Sequence, residues 1–208
     1  MARYTGPVCR LCRRERMKLY LKGAKCDSMK CPIERRPYPP GEAGRNRQRQ
    51  GSEYLLQLRE KQKARRIYGL MEKQFRRVYA EANRRQGVTG ETLLQMLELR
   101  LDNVVFRAGW GSSRAQARQL VRHGHVAVNG KRVTIPSYSA RRGDVVSLRD
   151  KAQSMIVVQH NIDVLDRTVV GWLERGEAGR QVTVRDLPQR EHIDIPVREQ
   201  LIVELCSK

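Results

Sequence analysis

The fold is decided between residues 113 and 130, which read SRAQARQLVRHGHVAVNG. Ser113 with Gln116 three residues later is the signature of a capping box, a pattern that marks the first turn of a helix. The helix ends at His123-Gly124, because glycine readily adopts the left-handed conformation found just beyond a helix C-terminus. The sequence therefore predicts a helix over residues 114–122.

A β-hairpin is predicted directly after this helix. Residues 126–128 are strand-like and run into Asn129-Gly130, the dipeptide that most strongly favours a two-residue hairpin turn. Residues 131–135 return as the second strand, and Pro136 ends it because proline lacks the N–H that a ladder needs. A further strand is predicted over residues 145–148.

Before residue 110, apolar side chains recur at helical spacing. Ser52 is a plausible N-cap for the first helix, and Thr89 is a plausible cap for the third. This periodicity predicts three or four consecutive helices over residues 52–67, 75–87, 89–101 and 102–109. After residue 150 the signals are weaker: residues 155–158 and 201–205 resemble strands, and loops are expected around the glycines at 171, 176 and 179 and around Pro188.

Four of the five cysteines lie in the first 31 residues, at Cys9, Cys12, Cys26 and Cys31. Two paired thiolates can complete the tetrahedron of a structural zinc site, and four sulfur ligands leave no open position for catalysis. We therefore expect one structural Zn²⁺, which would stabilise a segment with few apolar residues. Free thiols, two disulfides and an iron–sulfur cluster remain alternatives, although disulfides are rare in the cytosol. The fifth, Cys206, is interpreted as a small, partly buried side chain.

The chain is accordingly predicted to be an α+β protein with an N-terminal zinc knuckle, a small helical domain and an inserted domain of two helices on a short, mainly antiparallel sheet. The predicted divisions are an N-terminal arm at 1–45, a helical domain at 46–97 completed by 190–208, a helix–hairpin domain at 98–163, and a loop-rich connection at 164–189.

Charge restricts the possible partners. The 208 residues carry 42 Lys and Arg against 22 Asp and Glu, a net charge of +20. Residues 1–50 contribute 14 basic and four acidic side chains, whereas residues 151–208 are nearly balanced. Such a surplus favours a polyanionic partner. The first residues lack an apolar signal core and no stretch is long enough to span a bilayer, so we expect a cytoplasmic protein without a membrane partner.

The helix over residues 114–122 carries an arginine ridge, which we define as Arg114, Arg118 and Arg122. These residues lie at i, i+4 and i+8 and no acidic residue interrupts them within the helix. Guanidinium groups at a capped helix start suit phosphate oxygens. His123 and His125 have no carboxylate or nucleophile nearby in the sequence, so they are interpreted as backbone or RNA contacts and not as catalytic residues.

Several segments together resemble one known family. Residues 101–105, 113–121 and 123–130 resemble a small RNA-binding domain that several RNA-acting proteins share. The combination of that domain with GPVCRLCR at 6–13, ERRPYPPG at 34–41 and EKQKAR at 60–65 resembles the bacterial small-subunit ribosomal protein four, and the resemblance extends over essentially the whole chain. Some members of that family lack the cysteines, so this sequence resembles the zinc-cysteine-containing form.

This resemblance implies a primary binder of small-subunit ribosomal RNA at a multi-helix junction, which nucleates assembly of the subunit body. It further implies neighbours among the small-subunit proteins (numbers five and twelve), a position near the path by which messenger RNA enters, and an influence on decoding accuracy. No small-molecule substrate is expected. The candidate RNA-binding residues are Arg3, Arg10, Arg13, Arg14, Arg35, Arg36, Tyr38, Arg45, Arg47, Arg49, Lys61, Lys63, Arg65, Arg66, Ser113, Arg114, Arg118, Arg122, His123, His125, Asn129, Lys131 and Arg132.

Two other classes of protein compete with this interpretation. An RNA-modifying enzyme, such as a pseudouridine synthase or an aminoacyl-tRNA synthetase, could carry the same domain. It would need a catalytic carboxylate or a glycine-rich phosphate loop, and no such motif is found in residues 1–97 or 150–208. A zinc-dependent DNA regulator would be expected to present a dimer interface and a few base-reading side chains on one helix.

Overall fold

The structure, a computed structural model, describes residues 3–46, 51–164, 169–176 and 179–207. Helices and one antiparallel sheet make up the described part, which confirms the α+β class. The chain divides into two compact units. The first unit comprises Met1–Leu93 with Ile195–Lys208, and the second comprises Leu94–Asp194.

The helices are α1 (Cys9–Glu15), α2 (Pro32–Arg35), α3 (Glu53–Ile67), α4 (Glu72–Arg84), α5 (Thr89–Glu98), α6 (Leu101–Arg107), α7 (Arg114–Arg122), α8 (Asp150–Gln153), α9 (Ile156–Val164) and α10 (Glu199–Ser207). Short 3-10 helices cover Gly23–Cys26, Glu42–Arg45 and Arg190–His192. The strands are β1 (Val126–Val128), β2 (Lys131–Arg132), β3 (Val145–Leu148), β4 (Leu173–Arg175) and β5 (Gln181–Val184). None of the described helices is both long and apolar enough to cross a membrane.

In the first unit, α3 packs along α10. Ser52 caps α3 as the sequence predicts, because its hydroxyl accepts a hydrogen bond from the backbone N–H of Leu55 at 3.3 Å. The strand predicted at residues 201–205 is wrong, since these residues form the centre of α10 and Ile202 is fully buried. The error has a physical reason: a run of five mostly apolar residues fits a buried strand and a helix face equally well.

In the second unit, α6 and α7 pack against each other and the sheet has the strand order β2-β1-β3-β5-β4, with every pair antiparallel. The predicted hairpin is confirmed: Asn129 and Gly130 have φ angles of 49° and 76°, the two positive values that a type I′ turn requires. The return strand is shorter than predicted, since β2 covers two residues.

The sequence analysis is also wrong at two places after residue 150. Residues 155–158 are predicted as a strand but contribute to α9. The segment 164–189 is predicted as a loop-rich connection but contains β4 and β5, and β5 pairs directly with β3. Trp172, Val182 and Val184 from this segment are buried in the same apolar core as α6 and α7. The strands escaped prediction because they are short and lie between glycines, which locally indicate loops.

Candidate RNA interface

The four cations predicted for RNA on α3 are engaged by carboxylates of the same unit. Lys61 is buried, and its Nζ lies 2.8 Å from Glu72 Oε1. The pairs are Lys61 and Arg65 with Glu72, Lys63 with Glu60, and Arg66 with Glu15. A cation whose charge is already matched and whose side chain is half buried offers less to a phosphate, so the structure assigns these residues to holding the helices together.

The arginine ridge of α7 is not a single exposed surface, and this part of the sequence interpretation is wrong. Arg118 is only 5 % exposed, and its Nη1 donates to Asp102 Oδ2 at 3.0 Å. The same carboxylate accepts two hydrogen bonds from Arg100, at 2.7 and 3.1 Å. The sequence analysis found no acid within α7, but the partner carboxylate comes from α6, which lies against it.

Arg114 is also turned inward. Its Nε donates to Asn103 Oδ1 at 2.8 Å, and its guanidinium lies 4.4 Å from the ring centroid of Phe106. Ser113 is buried and acts as the N-cap of α7, since its hydroxyl accepts from the backbone N–H of Gln116. Of the three ridge arginines, Arg122 alone is exposed.

An exposed basic cluster does form where α7 ends, at the turn that contains Gly124. The rings of His123 and His125 are 6.1 Å apart. The guanidinium of Arg132 lies over Gly124, where an added Cβ would be 2.3 Å from Arg132 Nε. Arg149 Nη1 donates to the Gly124 carbonyl at 3.2 Å. We call these residues, His123, His125, Arg132 and Arg149, the turn cluster.

Electrostatics within the turn cluster are unbalanced. Partial burial lowers the pKa of His125, and the positive charges of Arg149 and Arg132, together with His123, lower it further. Like charges held this close repel one another, so the arrangement gains most when an anion lies among them. Arg122 and Lys131, adjacent to the cluster in sequence, are exposed as well.

Arg149 is the residue of this cluster that the sequence analysis missed. It lies after β3, 24 positions from His125, and its backbone N–H donates to the His125 carbonyl at 3.0 Å. Only the pairing of β1 with β3 brings the two together. Conversely, Asn129 was predicted to touch RNA, but its amide is used within the hairpin, where it donates to Asp144 Oδ1 and accepts from the backbone N–H of Val145, both at 2.9 Å.

In the N-terminal arm, two predicted RNA-binding arginines surround Tyr38. The guanidinium groups of Arg13 and Arg45 lie 4.9 and 5.1 Å from the ring centroid, and Arg45 donates to the phenol oxygen at 3.1 Å. That hydrogen bond lowers the pKa of Tyr38. Arg13 Nε also donates to the carbonyls of Arg36 and Tyr38. Arg13 therefore fixes the proline-rich segment to α1.

The other arm arginines divide simply. Exposed ones predicted for RNA are Arg3, Arg10, Arg14, Arg35 and Arg36. Arg47 and Arg49 lie outside the described residues.

The four cysteines of the arm line one cavity of about 10 Å³. Burial raises the pKa of the Cys12 thiol, and the charges of Cys26, Cys9 and Cys31 act in the same direction, so all four sulfurs lie within electrostatic range of one another. The backbone N–H of Lys22 donates to Cys26 Sγ at 3.3 Å. In the described part of the chain, however, no group of three or more His, Cys, Asp or Glu side chains forms a ready coordination site.

Comparison with known proteins decides the family. The chain is 61% identical, over 209 aligned residues that span both chains completely, to the small ribosomal subunit protein uS4 of Dictyoglomus turgidum. The chain belongs to the uS4 family. It is also similar, again over the full length of both chains, to the uS4 proteins of Acidothermus cellulolyticus, at 60% identity, and Thermus thermophilus, at 52%.

Two family models match adjacent parts of this uS4-family chain. The model described as the ribosomal protein S4/S9 N-terminal domain matches residues 3–98, and the model described as the S4 domain matches residues 99–146. The second match contains α6, α7 and most of the turn cluster. Membership of a ribosomal protein family over the whole length argues against the alternative of an RNA-modifying enzyme, so the chain is not an enzyme.

Proposed function

We infer that the chain is a structural protein of the small ribosomal subunit in the cytoplasm and binds the rRNA of that subunit. The observation that carries this inference is full-length similarity to proteins named for that subunit. The turn cluster supports it physically, because exposed cations without matching carboxylates favour a polyanion.

The recognition that fits these residues is of phosphates and of folded RNA shape. Arginine forms planar, paired hydrogen bonds with phosphate oxygens, and Arg132 is exposed at the surface of the cluster. Aromatic side chains, on which unpaired bases stack, amount to 5% of the residues. Double-stranded and folded RNA is read mainly through its backbone geometry, so a protein with many arginines and few aromatics suits a helical junction.

The finer functions are proposals that rest on the family resemblance. In this proposal the chain binds a multi-helix junction early, nucleates assembly of the subunit body, and lies beside small-subunit proteins five and twelve near the path by which messenger RNA enters. An influence on decoding accuracy belongs to the same proposal. The excess of charge in residues 1–50, 14 basic against four acidic side chains, supports an arm that is surrounded by RNA.

We also propose that Cys9, Cys12, Cys26 and Cys31 hold one structural Zn²⁺. Support comes from the burial of the arm: its buried side chains are Leu19, Pro39 and three of these cysteines, which is too little apolar surface to fold 45 residues alone. A bound metal would keep the thiolates ionised against the burial that raises their pKa. Zinc adds folding energy here and no reaction chemistry, because thiolates occupy all four positions.

Binding of the full chain to small-subunit rRNA tests the inferred function. Native rRNA and the same rRNA scrambled by heating are compared at matched salt, because the electrostatic part of the affinity depends strongly on salt. We expect tighter binding to the native fold. Equal affinity for both would reduce the interaction to attraction between a cation and a polyanion and would contradict specific recognition.

Elemental analysis of protein purified without chelators tests the metal. One zinc per chain is the expected result. Iron with sulfide would favour the cluster alternative, and a metal-free arm that stays folded would contradict the proposal.

A further inference from the structure

Helix α4 carries a second basic surface that the sequence analysis did not assign. Its solvent side presents Lys73, Arg77 and Arg84, all exposed. We propose that these three side chains, which we call the α4 face, bind phosphates of the RNA backbone. The proposal deepens the inferred rRNA binding and rests on it, but it places a contact in the first unit, outside the S4 domain.

The α4 face points directly away from the core. Phe75 and Ala82 are fully buried, and the Tyr79 hydroxyl donates to the Val203 carbonyl of α10 at 3.4 Å. At about 100° per residue, Lys73, Arg77 and Arg84 all lie within about 20° of the direction opposite Phe75. A helix fixed on its buried side therefore presents three cations in one line, about 16 Å long, at 1.5 Å per residue.

The α4 face differs from α3 in how its charge is balanced. In the described residues, no carboxylate lies within 4 Å of the cationic groups of Lys73, Arg77 or Arg84. The four α3 cations, in contrast, all contact carboxylates. Two further arginines flank the face on α4, and these are paired: Arg76 with Glu72 at 3.1 Å and Arg85 with Glu81 at 3.5 Å.

This distribution makes a protein partner less favourable than RNA. Interfaces between proteins bury apolar or aromatic side chains at their centre. The residue between Arg77 and Arg84 on the α4 face is Ala80, so the face offers no large apolar anchor. What it offers is charge that nothing in the described unit neutralises, and neutralising phosphates with release of their counterions is the main source of affinity for nucleic acid.

The paired and unpaired arginines provide a matched comparison on one helix. Arg77→Gln with Arg84→Gln removes two unpaired charges, and Arg76→Gln with Arg85→Gln removes two paired ones. Each variant, as the full chain, is titrated with native small-subunit rRNA over a range of salt concentrations. Loss of two phosphate contacts lowers the slope of log K on log salt by about 1.4 to 1.8, since each contact contributes about 0.7 to 0.9.

We expect that decrease in the first variant, a clearly smaller one in the second, and recovery of the slope when Arg77 and Arg84 are replaced by lysine. Equal decreases in the two glutamine variants would reduce the effect to net charge and would overturn the proposal. An unchanged slope in the first variant would also overturn it and would leave an acidic protein as the partner of this face. Failure of the inferred function itself is distinguishable, because then the unsubstituted chain would not prefer native rRNA. Circular dichroism controls for folding, since exposed substitutions change stability by about 0.5 kcal/mol or less.

Discussion

The N-terminal arm and the second unit are both rich in arginine, yet they are stabilised differently. The second unit has a continuous apolar core that includes Trp110, Trp172 and the valines of β1, β3 and β5. In the described part of the arm, the buried side chains are two apolar residues and three cysteines. The second unit can therefore bury arginines and pair them, whereas the arm depends on its sulfur atoms and on Arg13, whose guanidinium bonds backbone carbonyls.

The contrast teaches how to interpret an arginine in a basic protein. Arg118 and Arg122 are one helical turn apart on α7, and the sequence gives them the same prediction. The first is paired inside the fold and the second is exposed. Position relative to the core decides whether an arginine stabilises the protein or is available to RNA.

The largest expected effect follows from Cys12→Ser. If zinc folds the arm, loss of one thiolate removes most of a binding energy of about 10–16 kcal/mol and unfolds the arm, while the second unit keeps its core. Limited proteolysis followed by mass spectrometry should show rapid cleavage within residues 3–45 and continued protection of 94–194. Cys206→Ser is the matched control, because that half-buried cysteine lies on α10 and should leave both zinc content and arm protection intact. Full arm protection in Cys12→Ser would sink the distinction between the two regions.

The next effect compares Arg118→Ala with Arg122→Ala. Removing one partner of a buried ion pair costs about 3–5 kcal/mol, and we expect the lower end because Arg100 still contacts Asp102. The exposed Arg122→Ala should cost about 0.5 kcal/mol or less. Denaturant unfolding of the full chains measures both. Rates of rRNA binding at several salt concentrations add a second readout: only Arg122→Ala should lower the salt slope, by about 0.7 to 0.9. A destabilised Arg122→Ala would contradict the assignment.

How far the sequence predicts the molecule depends on the distance over which each feature is determined. The cap at Ser52, the helix after Ser113 and the turn at Asn129-Gly130 follow from neighbouring residues, and each was predicted correctly. The burial of Arg118 depends on Asp102, and the place of Arg149 in the turn cluster depends on strand pairing. Such contacts join separate elements, so a local pattern does not contain them.

The same limit explains the errors after residue 150. The strands β4 and β5 are stabilised by pairing with each other and with β3, and their own residues carry little alternation. Residues 201–205 form a helix because α10 packs on α3, more than 130 positions earlier in the chain. In both cases tertiary packing overrides a weak local preference.

A smaller effect is expected from Gly124→Ala compared with Gly130→Ala. Both glycines have positive φ angles, 75° and 76°, so alanine costs about 1–2 kcal/mol at either position. Around Gly130 nothing lies within 4 Å of an added Cβ, whereas at Gly124 the Cβ would meet the Arg132 guanidinium. Only Gly124→Ala should therefore displace Arg132 and weaken rRNA binding. Equal losses of affinity in the two variants, measured at the same salt, would mean that the turn conformation matters and the position of Arg132 does not.

The smallest expected effect is the pH dependence of the turn cluster. The pKa of His125 lies below its ordinary value of 6.5 in the free protein, because partial burial and the neighbouring His123, Arg149 and Arg132 disfavour its charged form. The unfolded chain then binds more protons than the folded one as pH falls below about 6.5. This contribution to stability is therefore complete above that pH and is lost as pH falls through the folded pKa.

Bound phosphate reverses the sign for RNA binding. A phosphate beside His125 stabilises the imidazolium and raises the pKa, so the complex takes up protons and rRNA affinity should rise as pH is lowered from 7.5 towards 6. Titration of the ring signals by NMR and binding at matched salt measure the two effects separately. Arg132→Gln should move the pKa of free His125 upward, and His125→Gln should remove part of the pH dependence of affinity. A pH-independent affinity in the unsubstituted chain, with His125 titrating as described, would place the phosphate away from the histidines and leave Arg132 and Arg149 as the contacts of the cluster.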